Sequence, residues 1–173
     1  MEKAELYRIE TIAAVFRDAY HIESPVLDFQ DIVHRIGGNI FESKSPEPFS
    51  DCTVRKNGKK GFTLQVNSTL SDEQKKLALA MALGHLVLNM GFGIDEELWE
   101  KQNYDSFALR DMEKDTKENA FALSLLMPKE EFDKVVSEKE NDGMVSPDDI
   151  AEHFKVPVYA VISRGRALDI FPE

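Results

Sequence analysis

Apolar side chains recur at three- and four-residue intervals through Leu6, Ile9, Ile12, Ala13, Phe16 and Tyr20, which predicts an amphipathic first helix. Asp28 is a suitable N-cap for a second helix, with Ile32, Val33 and Ile36 on its apolar side and Gly37-Gly38 ending it. The spacing then changes. Asn39-Ile40-Phe41 leads into a Ser-, Pro- and Glu-rich loop over 42–50, and Cys52-Thr53-Val54 and Phe62-Thr63-Leu64-Gln65-Val66 alternate as strands do. Between them Arg55-Lys56-Asn57-Gly58-Lys59-Lys60 carries the Asn-Gly signal of a tight hairpin. Ser71 and Gln74 form a capping box ahead of residues 77–88, which are apolar on nearly every side; a helix of that kind is central and covered. Residues 91–110 show no regular period and read as irregular. Further helices are expected from about Met112 to Met127, from Pro128 to about Val136, after the N-cap Ser146 with Pro147 in its first turn, and from Pro157 to about Arg166. Helices, a small antiparallel or mixed sheet, then helices again make an α+β fold, one domain spanning 1–173.

Composition narrows the function. The formal net charge of −11 argues against broad binding to nucleic acid or an anionic membrane, both of which need compensating positive charge. The single cysteine, Cys52, has no partner for an internal disulfide and fits a buried strand position. The first residues lack the apolar region of a signal peptide, and the 77–88 run is shorter than the ~20 residues that span a bilayer, so a cytoplasmic protein is expected. The basic hairpin Arg55 to Lys60 reads as a solvated turn, or as a contact for an acidic partner segment.

The apolar helix carries the one pattern with chemical meaning. On a helix, positions i and i+4 share a face, so two histidines there can grip one zinc ion, with a glutamate at i+1 as base for the bound water. Here the three positions are Met81, His85 and Ala82. The frame of a His-Glu-x-x-His site is present without its first ligand or its base. A thioether does not replace imidazole on zinc, and alanine cannot take a proton from water.

Three stretches resemble the ImmA/IrrE family of small zinc metallopeptidases: Phe62-Thr63-Leu64-Gln65-Val66-Asn67, then Leu79-Ala80-Met81-Ala82-Leu83-Gly84-His85-Leu86-Val87-Leu88, and Glu118-Asn119-Ala120-Phe121-Ala122-Leu123-Ser124-Leu125-Leu126-Met127-Pro128. The last two match in order and separation as well as in wording. The resemblance implies a zincin-like domain, with a metallopeptidase-like core over 5–128 and a helical part over 129–173 that ends in a helix-turn-helix-like unit. Within it His85 takes the second histidine position, Asp115 the third, acidic ligand position, Met81 the first histidine and Ala82 the general base.

The resemblance also implies a regulatory role. Relatives with a complete site are associated with cleaving helix-turn-helix repressors, in prophages and other mobile elements or in stress responses. A member that has lost the site is expected to bind a protein partner without cutting it. The expected surface is the cleft between strand 61–67, the central helix and helix 112–127, with Phe62, Leu64 and Val66 offering a strand edge. No zinc or other cofactor is expected, His85 and Asp115 being the candidate ligands; a hydrogen bond from His85 to a neighbour such as Asp115 is expected instead. Two alternatives stay open. One is a zinc peptidase with rearranged ligands. The other is a DNA-binding regulator using residues 146–166, although Arg164 and Arg166 come only at the far end of its second helix, where a reading helix wants them early.

Overall fold

The structure, a computed structural model, describes residues 1–44, 50–102, 106–109 and 116–172, with 106–109 described by their backbone. The N-terminal apolar repeat forms α1 (Lys3–Tyr20), which buries Ile9, Ala13 and Phe16. In α2 (Phe29–Arg35) the Asp28 carboxylate accepts from the Asp31 amide, and Phe29, Ile32 and Val33 turn inward. Gly37 follows with φ +95°, a backbone that a residue with a Cβ adopts at a cost.

Strands β1 (Gly38–Ser43), β2 (Cys52–Asn57) and β3 (Gly61–Asn67) are joined by β4 (Ser106–Leu109) in one mixed sheet of order β1-β3-β2-β4. β1 runs parallel to β3, with Ile40 opposite Leu64; β2 runs antiparallel to β3, with Val54 opposite Leu64. The inner face carries Cys52, Val54, Phe62, Leu64 and Val66, all buried, and α3 (Asp72–Leu88) packs beneath it. Burial pushes the Cys52 thiol up to about 12, which leaves it an inert core side chain.

α3 is as central as its composition predicts, with every residue from Leu77 to Val87 buried. Its start is fixed by a complete capping box: Ser71 Oγ accepts from the Gln74 amide and the Gln74 side chain accepts from the Ser71 amide. Ser71→Ala should therefore cost about 1 kcal/mol, read as a lower urea midpoint at unchanged m.

Residues 91–110 correct the sequence expectation: they hold α4 (Glu96–Lys101) and β4. Both are too short to show a period, although Asp95 is a working N-cap that accepts from the Leu98 amide. α5 (Lys117–Leu126) opens on the N-cap Thr116 rather than near Met112, and residues 110–115 lie outside the described ones. α6 (Lys129–Lys139), α7 (Pro147–Phe154) and α8 (Val158–Ala167) complete the chain. Ser146 precedes α7, but its hydroxyl makes no capping hydrogen bond.

α8 is locked to the rest by Arg164, 1% exposed. Its Nε donates to the Met127 carbonyl at 3.0 Å, and its Nη1 reaches Glu10 Oε1 at 2.5 Å and Ser124 Oγ at 3.4 Å. One guanidinium thus ties α8 to α1 and α5.

Candidate functional site

Gly84 sets the geometry of the site. A Cβ there would lie 3.1 Å from the Glu118 carbonyl oxygen and 3.2 Å from both Glu118 Cα and Phe121 Cβ. Its absence lets the first turn of α5 rest against the last turns of α3. Glu118 and Phe121 are one turn apart on α5, so burying Phe121 in the core brings Glu118 to the α3 side as well.

There Glu118 meets His85. Oε1 lies 3.4 Å from His85 Nδ1, and both side chains are largely covered, 16% and 11% exposed. Asn89, one turn beyond His85 and on the same side of the helix, closes a triangle. Its Nδ2 donates to Glu118 Oε1 at 2.5 Å and lies 2.8 Å from His85 Nδ1. Hydrogen bonds from His85, from the backbone amide of Glu118 itself and from Asn89 hold the Glu118 carboxyl down to about 2, against the opposing pull of burial.

A carboxyl lowered from 4.5 to about 2 on folding contributes stability that is fully present above pH 4.5 and is lost as pH falls toward 2. After a discount for solvent screening the contribution is about 1–2 kcal/mol. Glu118→Gln should remove it at neutral pH, so the wild-type and variant unfolding curves should converge on acidification through that window. A difference that stays constant with pH would refute the assignment.

The structure brings Met81, Ala82 and His85 together on α3, buried at 3%, 0% and 8% exposure. Asp115 lies outside the described residues, as do Asp111 and Glu113. The described carboxylate that faces His85 is Glu118. The signal was in the sequence: Thr116 followed by Asn119 marks a helix start, and from there Glu118 shares a face with Phe121.

Phe62, Leu64 and Val66 are corrected as partner-binding residues. They are 0%, 0% and 1% exposed, and β3 is hydrogen-bonded to β1 on one side and β2 on the other, so it has no free edge to take another strand. The DNA reading of 146–166 loses Arg164, which is buried and bonded to Met127, Glu10 and Ser124; Arg166 is exposed and donates to the Pro172 carbonyl.

The described donors fall short of a catalytic zinc set. Catalytic zinc takes three protein ligands plus water. Here His85 and Glu118 face one another, the i−4 position holds a thioether, and the base position holds a methyl group. Among the described residues no group of three or more His, Cys, Asp or Glu side chains is placed to hold a metal ion. What the constellation can do is join α3 to α5 through a charged, hydrogen-bonded contact. Among the described residues no helix is long and apolar enough to cross a membrane.

Residues 49–164 match the family described as the IrrE N-terminal-like domain, a peptidase family. No curated protein matches the chain.

Proposed function

The chain belongs to the IrrE N-terminal-like domain family of peptidases, and from that premise we propose that it is a non-catalytic member: a metallopeptidase-like domain kept as a regulatory module that binds a protein partner without cleaving it. The observation that carries the proposal is the contact of His85 with Asn89 and Glu118 beside the buried Met81 and Ala82, which stand at the first-ligand and base positions. Hydrolysis by a zinc-bound water needs a third ligand, an open coordination position and a base. The described side chains supply none of them. The partner class that fits the family is a transcriptional repressor of a mobile element or stress response.

Elemental analysis of the purified protein, with and without added zinc, tests the proposal. Well under one-tenth of an equivalent is expected after desalting; one equivalent of tightly held zinc, with chelator-sensitive cleavage of a partner, would overturn it. Restoration makes the complementary test. The double substitution Met81→His with Ala82→Glu should create zinc affinity absent from the parent, because position 81 lies one turn from His85 and Glu118 completes the set. If no affinity appears, the frame assigned to α3 is wrong.

A further inference from the structure

The basic hairpin and α4 face each other across a second concavity. It has a volume of about 500 Å³ and is lined by Tyr20 and Ile36, by Lys59 and Lys60, by Phe92 through Glu96, and by Trp99 and Glu100. Its floor is aromatic and fixed. Phe92 and Trp99, each 6% exposed, meet edge to face at 5.2 Å, and Phe92 meets Phe62 in the same way at 5.0 Å. The Trp99 indole N–H donates to the Lys59 carbonyl at 2.7 Å, which fastens α4 to the hairpin. Gly91 and Gly93, with φ +80° and +72°, turn the loop so that Phe92 is buried while Ile94 stands at the rim, 51% exposed. The pocket is preformed, with an apolar interior.

Charge is divided between its walls. Lys59 and Lys60 stand on the hairpin side, Glu96 and Glu100 on the α4 side, and among the described residues none of the four makes an ion pair. Beneath Trp99 lies Lys56, 5% exposed, with Nζ 4.7 Å from the ring centroid and bound to the Trp99 and Gln102 carbonyls rather than to a carboxylate. That buried charge adds to the positive field on the hairpin side. On a chain of net charge −11, three hairpin cations without a carboxylate partner among the described residues, opposite two acids without a cation partner among them, leave walls of opposite sign that do not close on each other.

We propose that this cleft seats a peptide segment of a protein partner, with a large apolar side chain against Phe92 and Trp99, an acidic residue toward Lys59 and Lys60, and a basic residue toward Glu96 and Glu100. A buried anchor supplies affinity and the flanking charges set its direction. The inference rests on the partner-binding reading above and gives it a location on the molecule, a cleft lined by none of His85, Asn89 and Glu118.

Trp99 is the single tryptophan of the chain, so its emission reports on the floor of the cleft. Random-peptide display on the intact protein should enrich sequences with an acid–apolar–base pattern. Synthetic copies should shift Trp99 emission saturably and lose at least tenfold affinity for the Lys59→Glu/Lys60→Glu variant, whose changes are on an exposed turn and leave the core intact. Replacing the peptide's acid with lysine should restore binding to that variant. No enrichment, or enrichment without the pattern, overturns the inference. Peptides that leave Trp99 emission and variant affinity unchanged also overturn it, but leave the partner-binding reading standing. Stoichiometric zinc with partner cleavage would do the reverse.

Discussion

Arg164→Met is expected to lower the free energy of unfolding by about 3 kcal/mol. The side chain is 1% exposed and spends its hydrogen bonds on the Met127 carbonyl, Ser124 Oγ and Glu10, groups that belong to α1 and to α5 or its end. Methionine fills most of the volume, so little of the loss comes from a cavity. The cost comes from a carbonyl and a carboxylate left without a donor. Glu10 keeps 22% of its side chain exposed, so water partly replaces the guanidinium and the effect falls at the low end of the range for broken buried pairs. The partner substitution sharpens the test. Arg164→Met with Glu10→Leu removes donor and acceptor together and should cost less than the sum of the two single changes. Arg164→Lys should not rescue, because one ammonium cannot reproduce a planar fork that bonds through Nε and Nη1 at once. A loss below 1 kcal/mol in urea unfolding would refute the node.

That arginine also marks where sequence reading stops. Local features were legible because their causes are local. The capping pair Ser71 and Gln74, the N-cap Asp28, the Asn57-Gly58 turn and the apolar girth of the 77–88 helix each depend on neighbours within a few residues, and each is found in place. The identity of Met81 and Ala82 beside His85 was equally plain, since a helix fixes which residues share a face. What was hidden depends on distant parts of the chain. Alternation in 62–66 shows that one face is buried, but not that β1 and β2 occupy both edges. Arg164 at the end of an apolar helix looks like a surface cation until Glu10, 154 positions away, is seen to meet it. The carboxylate facing His85 depended on how deep the first turn of α5 settles against α3, which Gly84 decides.

Gly84→Val is accordingly expected to destabilise the protein by about 2–3 kcal/mol. The position is helical and has no positive φ, so the backbone itself tolerates a side chain, and a methyl group alone would gain roughly 1 kcal/mol in helix propensity. Against that gain stands contact of a Cβ with the Glu118 carbonyl oxygen at 3.1 Å and with its Cα at 3.2 Å. These are backbone atoms at the start of a helix and cannot swing aside. Gly84→Ala should therefore stay within about 1 kcal/mol of the parent, gain and crowding nearly offsetting each other. Valine adds two γ-carbons with restricted χ1 and forces α5 outward. The displacement has its own signature. Once Glu118 is lifted from His85 and Asn89, its carboxyl returns toward 4.5 and the acid-side loss of stability between pH 4.5 and 2 should flatten, as it does in Glu118→Gln. Combining Gly84→Val with Glu118→Gln should then cost little more than the valine alone, since the first change has already broken the contact that the second removes. Full additivity, or a valine variant that retains the wild-type acid profile, would show that something other than the missing Cβ delivers Glu118 to His85.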